Sequence, residues 1–280
     1  MKNLEEETVN SNFIELDKIT GGWGKGELII IASRPEIGKT ALGISMIRNT
    51  AINNEIPVAF FNLGMRTDQL TQRFLANISD IEIKKVMATD IGELSDTEIT
   101  LLNEAQKQLE NAPVFIDDIA SLSVFELRTK VRHLVRMHNV KCVIIDYLQL
   151  MNANGMNFGS PKQEISVISR SIRGLAFELN IPIIAMSQLN CGLENELAKD
   201  NPNAHRPQLS DLRETGAIEQ DADIVCFIHR PEYYGIYEDA ERNCLHGIAE
   251  LIVAKNRRGK LGDVKLKFCE ENASFQNIKE

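Results

Sequence analysis

The sequence predicts an α/β fold: a mostly parallel, twisted sheet with helices on both faces and an antiparallel edge. Three observations predict it. Apolar runs of strand length alternate with stretches of helical period, the pattern of strands joined through covering helices. One run, Leu28-Ile29-Ile30-Ile31-Ala32, passes through a tight loop into Gly38-Lys39-Thr40 and a helical pattern over residues 41–47. Residues 247–255 and 262–268 alternate around Arg257-Arg258-Gly259-Lys260 and read as a β-hairpin.

Taken in order, residues 1–12 are acidic and polar and are expected to form a mobile tail. Residues 13–280 are expected to form one domain, because neither a repeat nor a linker interrupts them. Residues 13–19 form a short apolar-periodic segment, and the glycine-dense stretch 20–26 is a turn that feeds the first strand. A second buried strand is predicted over 57–63, then a helix over 67–77 with Leu70, Phe74 and Leu75 on one face. Ser95-Asp96-Thr97-Glu98 is a capping-box signature for a helix to about residue 110, and Ser123-Val124-Phe125-Glu126 opens another through residue 138. Strands are expected over 113–117, 140–146, 181–186 and 223–228. Pro182 belongs near the start of its strand, where a missing N–H is tolerated. A loop is expected over 152–162 and a helix over 165–179.

The chain has 280 residues, 43% hydrophobic and 25% charged, enough for a substantial core in an ordinary globular protein. Its formal net charge of −9 argues against a surface that coats nucleic acid indiscriminately, although a local basic loop inside a ring could still act. No apolar run approaches the roughly 20 residues that span a bilayer, and the acidic N-terminus is not a secretory signal. The cysteines (142, 191, 226, 244 and 269) are scattered, odd in number and without C-x-x-C spacing. That usage suits a reducing cytoplasm and no structural zinc.

The segment Ser33, Arg34, Pro35, Glu36, Ile37, Gly38, Lys39, Thr40, Ala41 is the candidate phosphate-binding loop. Between a buried strand and a helix, backbone N–H groups and the helix dipole favour phosphate. Lys39 is placed to reach the β- and γ-phosphates, and Thr40 to put its hydroxyl on Mg²⁺. Ser33 stands where the motif usually has its first glycine. Asp146 ends the run Val143-Ile144-Ile145 and should lie at the same sheet edge as the loop, where it can support the metal or cap a turn. Gln188 should reach that edge as well, either as a γ-phosphate sensor or as an ordinary loop residue. Residues 209–223 are dense in polar side chains, which composition alone assigns neither to function nor to a solvated helix. Lys255 to Lys260 is a solvated turn, or it lets Arg257 reach a neighbouring subunit's γ-phosphate.

Together these stretches resemble the C-terminal, RecA-like motor domain of DnaB-type replicative DNA helicases. The matching segments run from Phe13-Ile14-Glu15-Leu16-Asp17 through the phosphate loop, Ile145-Asp146-Tyr147-Leu148-Gln149-Leu150-Met151 and Ser187-Gln188-Leu189-Asn190. They continue through residues 210–223 to Lys255-Asn256-Arg257. Members of this family commonly lack the first loop glycine, so Ser33 fits. The resemblance implies a RecA-like P-loop NTPase that uses ATP and Mg²⁺ in a six-membered ring around single-stranded DNA, alongside other replication proteins and in the cytoplasm. By position it implies Lys39 and Thr40 on the triphosphate and metal, Asp146 supporting the metal, and Gln188 sensing the γ-phosphate. Lys255 and Arg257 would be given in trans. Arg213, Glu214 and Gly216 would lie on a DNA-contacting loop, largely through backbone groups, and the 152–162 loop resembles the other channel loop.

Two departures qualify this. The family carries a glutamate after its second strand that activates the attacking water; here the place reads Asn62-Leu63-Gly64-Met65. Loss of such a group typically costs ~10²–10⁴-fold in rate. The resemblance also starts near residue 13, so the family's N-terminal helical domain and most of its linker helix are not expected. The readings are therefore a helicase-like ATPase, slow for want of the glutamate, or a non-enzymatic nucleotide-dependent adaptor or inhibitor of a full-length helicase. A third is a recombinase-like relative that forms filaments on DNA.

Overall fold

The computed structural model describes residues 8–88, 94–119, 121–153, 160–189, 205–239 and 241–278, with the side chains of 213–216 outside that description. A nine-stranded sheet carries the fold. Its strands are β3 (Leu28–Ser33), β4 (Val58–Asn62), β5 (Val114–Asp117), β7 (Cys142–Asp146), β9 (Ile183–Gln188), β10 (Ile224–His229), β11 (Ile248–Asn256), β12 (Gly262–Cys269) and β13 (Ser274–Asn277). Their spatial order is β13-β12-β11-β10-β3-β9-β7-β4-β5. From β10 to β5 every neighbouring pair is parallel, and from β10 to β13 every pair is antiparallel.

Alternation along the central strands separates two cores, because successive side chains point to opposite faces. Ile29, Ile31, Phe60, Ile144, Ile184 and Met186 face one core. There they meet α2 (Lys39–Ile47) and α3 (Thr67–Ser79), with Leu42, Ile44, Leu70 and Phe74 inward. Leu28, Ile30, Ala32, Phe61, Val143, Ile145, Ala185 and Phe227 face the other core. It is closed by α6 (Val124–His138), α7 (Pro161–Leu179) and α8 (Gly216–Asp221). Runs apolar at every position are what a sheet covered on both faces requires.

Both predicted capping boxes form. Ser95 caps α5 (Asp96–Asn111) with Glu98, and Ser123 caps α6 with Glu126. Cys142 and Cys226 are buried with their thiols pushed up to about 12, and no described cysteine is bonded to another. Among the described residues no helix is long and apolar enough to cross a membrane.

Several expectations are corrected. Residues 8–12 of the supposed tail belong to the fold. β1 (Thr8–Val9) pairs antiparallel with β2 (Trp23–Gly24), and α1 (Ile14–Thr20) follows at once. The Asp17 carboxylate accepts the Ser11 N–H at 3.0 Å, the Ser11 hydroxyl at 2.7 Å and the Asn12 N–H at 2.8 Å. Polarity here marks pairing, not solvation. Residues 1–7 lie outside the described residues.

The 152–162 loop is shorter than expected at both ends. Asn152 is in β8 (Met151–Asn152), which pairs with β6 (Leu122–Ser123). Helix α7 begins at Pro161, whose fixed φ suits a first turn, and so takes in Lys162. Residues 154–159 lie outside the described ones. Strand β13 extends the hairpin by one more antiparallel strand, and a short α4 (Ile83–Met87) follows α3; neither was anticipated.

Candidate active site

Parallel pairing brings the C-terminal ends of β3, β7 and β9 together, with Ser33 beside Gln188 in register and Asn62 beside Asp146. The phosphate loop leaves this edge. Gly38 is the N-cap of α2 at φ 116°, and a Cβ there would meet the Phe275 ring at 3.2 Å, so both backbone and packing require glycine. Lys39 and Thr40 thus occupy the first turn of α2. A cavity of about 420 Å³ opens against them, lined by Pro35, Glu36, Gly38, Lys39, Thr40, Ala41, Met65, Arg73, Asp146, Tyr147 and Gln188.

Lys39 is 8% exposed, and its ammonium donates to Ser33 O at 3.4 Å, Ser33 Oγ at 3.3 Å and Arg34 O at 3.3 Å. Burial lowers its pKa, and the Asp146 charge opposes that shift. Asp146 is 3% exposed and accepts the Thr40 hydroxyl at 2.5 Å. Burial raises its pKa, opposed by the Thr40 hydrogen bond and by the charges of Lys39 and Arg73. Next to it in register, buried Asn62 donates to Met65 O at 2.8 Å, while its Oδ1 has no partner among the described residues. A hydroxyl, a carboxylate and an orphaned amide oxygen are hard donors of the kind Mg²⁺ takes, so the residues present fit a nucleotide-bound Mg²⁺.

Gln188 lies on the cavity wall, its backbone held at both ends by Gln149, which accepts its N–H at 3.1 Å and donates to its carbonyl at 3.0 Å. Ile37 is buried at 1% exposure and packs in the core, so its contribution to the loop is an anchor. Ser33 donates to the Arg34 carbonyl at 2.8 Å. Glu36 sits at the cavity with its carboxylate accepting the Tyr233 hydroxyl at 3.2 Å. Gly64 lines a neighbouring cavity of about 560 Å³ that shares Met65 with the first.

Lys255 and Arg257 are elsewhere. Arg257 donates to Asp223 Oδ1 at 3.0 Å and to the Gln220 carbonyl at 2.7 Å. Lys255 donates to the carbonyls of Glu219 at 2.5 Å and Ala222 at 2.7 Å. Asp223 is fixed at the start of β3, donating its N–H to Leu28 O at 2.9 Å and accepting the Leu28 N–H at 3.0 Å. The phosphate loop leaves the other end of this six-residue strand, roughly 20 Å away at 3.3 Å per residue. Neither cation can reach its own chain's loop. Arg213 and Glu214 close a 3₁₀ segment (Leu209–Thr215), and Gly216 is the first residue of α8.

Sequence reasoning missed Arg73 and Tyr147. Arg73 is held down in pKa by burial, with the Asp146 charge opposing. Its signal was spacing: three residues after Leu70 and just before Phe74, it falls at the border of the buried face of α3. Tyr147 simply follows Asp146 in the chain.

The family model for the DnaB-like helicase C-terminal domain matches residues 8–277. The replicative DNA helicase DnaB of Geobacillus stearothermophilus is 39% identical over 270 residues, covering 96% of this chain and 56% of that protein. DnaB of Mycoplasma genitalium is 41% identical over 271 residues, covering 95% and 56%. The chain thus spans little more than half the length of these relatives. Two solved structures superpose with a TM-score of 0.86 at 33% identity over 97% of this chain. One is a DnaB-like replicative helicase, described with its interactions with primase, of which 62% is covered. The other is an ATPase domain solved by itself, covered to 92%. With a RecA-like sheet, a Gly-Lys-Thr loop facing a buried strand-end aspartate, and a family match over nearly its whole length, this chain belongs to the DnaB-like helicase C-terminal domain family.

Proposed function

We propose that the chain is an ATP-binding motor domain of a replicative DNA helicase, acting on single-stranded DNA as an oligomeric ring with nucleotide at subunit interfaces. The observation that carries this is Asp146, a buried carboxylate held by the Thr40 hydroxyl in the first turn of α2, with Lys39 in the same cavity. Mg²⁺–ATP, when bound, supplies the phosphoanhydride bond. The loop amides and Lys39 bind the phosphates, Thr40 and Asp146 hold the metal, and Gln188 reads the γ-phosphate from the cavity wall. Lys255 and Arg257, some 20 Å from their own loop by the strand length above, serve the neighbouring subunit, which makes the homo-oligomer, most simply a hexamer, part of the reading. Arg213, Glu214 and Gly216 contact DNA phosphates, largely through backbone groups. The compartment is the cytoplasm, where such a motor meets its DNA and the other replication proteins.

Hydrolysis is slow on this reading. The carboxylates lining the cavity, among the described residues, are Asp146 and Glu36. The first accepts from Thr40 and the second from Tyr233, while Gly64 offers nothing to a water. That observation also favours a second reading, a nucleotide-dependent adaptor or inhibitor of a full-length helicase.

The test is calorimetric titration with Mg²⁺–ATP of the wild type and Lys39→Ala, beside steady-state ATPase with single-stranded DNA. Lys39→Ala should bind at least about tenfold more weakly, the scale of a lost charge-assisted contact. Unchanged affinity would refute the phosphate-loop assignment. Robust wild-type turnover would sink the adaptor reading.

A further inference from the structure

Two consecutive tyrosines grip the phosphate loop from outside the cavity. Strand β10 runs parallel to β3, so the chain leaving it at His229 emerges at the same sheet edge as the loop. It turns at once into a single 3₁₀ turn, Pro231–Tyr234, closed by Gly235 at φ 74°. From this turn the Tyr233 hydroxyl donates to Glu36 Oε2 at 3.2 Å. The Arg34 guanidinium lies 5.7 Å from the centre of the Tyr234 ring, within cation–π range.

Each contact falls where the loop needs one. Glu36 has φ 63°, a left-handed conformation that a residue with a Cβ adopts at a cost. Only glycine takes it freely, so something must hold Glu36 there, and the Tyr233 hydroxyl does. Arg34 carries the carbonyl that accepts from the Lys39 ammonium at 3.3 Å and from the Ser33 hydroxyl at 2.8 Å. Fixing the Arg34 side chain therefore fixes the backbone on which Lys39 rests. The Tyr234 ring is itself held, stacked with His205 at 4.5 Å and with His229 at 5.6 Å, and edge-on to Tyr233 at 5.4 Å. Both imidazoles are kept neutral, chiefly by burial and then by nearby cations, so they do not repel Arg34.

We propose that the Pro231–Tyr234 turn is a clamp that pre-forms the phosphate loop, with Tyr233 and Tyr234 as positioning residues for Lys39. The proposal rests on the nucleotide-binding reading above. It deepens that reading by assigning part of the site's affinity to two side chains that do not line the cavity, since pre-organisation removes ordering cost from binding.

The experiment measures two quantities on the full chain: the Mg²⁺–ATP Kd by calorimetry, and hydrogen exchange of the amides of residues 34 and 36–38 without nucleotide. Tyr233→Phe removes one half-exposed hydroxyl and should fold. It is expected to speed exchange of these amides and to raise Kd by about three- to tenfold, the scale of one hydrogen bond. In a Glu36→Gly background the same change should alter Kd less than twofold, because glycine takes φ 63° without help. Tyr234→Ala should raise Kd similarly, and Tyr234→Phe, which keeps the ring, should stay within twofold of wild type. Equal effects of Tyr233→Phe in both backgrounds, wild-type exchange in Tyr233→Phe, or Tyr234→Phe as harmful as Tyr234→Ala would overturn the clamp. If Lys39→Ala fails to weaken binding, the phosphate-loop reading falls instead. The exchange measurement still decides whether the tyrosines hold the loop.

Discussion

Gly64→Glu installs the carboxylate that the family resemblance expects, and the structure says the position can take it. The Leu63 N–H donates to the Asp146 carbonyl at 2.8 Å, so residue 64 follows directly on a link to the candidate metal ligand. A Cβ at 64 would find Leu150 Cδ1 at 3.4 Å and Tyr147 Cε1 at 3.8 Å, ordinary contacts with side-chain atoms. Gly64 is not among the glycines with positive φ. Neither packing nor backbone therefore requires glycine here, unlike Gly38. Loss of glycine's freedom in the unfolded chain contributes about 0.4–1 kcal/mol of stability, and the new contacts offset part of it, so the melting temperature should move little. The rate should rise by ~10²–10⁴-fold, the usual worth of a general base, which is about 3–5 kcal/mol of barrier at 1.36 kcal/mol per tenfold. The assay is steady-state phosphate release with saturating Mg²⁺–ATP and single-stranded DNA, with Kd measured separately. A folded variant that binds ATP as the wild type does, yet turns over no faster, would refute the reasoning.

Arg257→Ala should leave Mg²⁺–ATP binding to the isolated chain nearly intact and lower DNA-stimulated hydrolysis by about 10³-fold, the lower end for a transferred arginine. Mixing it with Lys39→Ala subunits should restore activity above either variant alone, since intact half-sites then meet, and mixtures no better than the separate proteins would exclude trans action. His229, 4% exposed, has its pKa depressed to about 4 by burial, then by Arg206, Arg34 and His205. The fold thus prefers the neutral ring: the associated stability is complete above about pH 6.5 and is lost as pH falls from there through about 4, by at most about 3 kcal/mol at 1.36 kcal/mol per pKa unit. Denaturation in urea across that range should show the loss in the wild type and much less of it in His229→Gln; identical slopes would contradict it. Ser123→Ala removes the hydroxyl that accepts the Glu126 N–H at 3.2 Å and should cost about 1 kcal/mol in thermal or urea unfolding.

The parallel half of the sheet was legible because strands buried on both faces read as unbroken apolar runs, and both capping boxes announced their helices by side-chain type alone. The antiparallel edge was legible only in part. β13 is four residues ending in polar ones, Ser274-Phe275-Gln276-Asn277, and short edge strands carry no such run. The N-terminal segment misled because its polar residues are paired internally, as Ser11 and Asn12 are with Asp17, and composition cannot tell a paired hydroxyl from a solvated one. At the site, residues contiguous with a strand end were readable from topology: Lys39, Thr40, Asp146, Gln188. Arg73, Tyr233 and Tyr234 reach the loop only through tertiary packing of elements distant in sequence.

The way Lys255 and Arg257 hold α8 has a consequence for how the chain tolerates change. Together they grip the carbonyls of Glu219, Gln220 and Ala222, at the C-terminal end of a six-residue helix whose other end is Gly216. Main-chain oxygens are supplied by every amino acid. Residues 219, 220 and 222 are therefore free to drift in identity without cutting the tie, and the whole demand for chemical identity falls on the two cations. A helix of six residues is about 9 Å long at 1.5 Å per residue, too short to bend, so a pull at one end arrives at the other as displacement. The connection between the two ends of α8 is written in backbone geometry, where a sequence comparison would not see it.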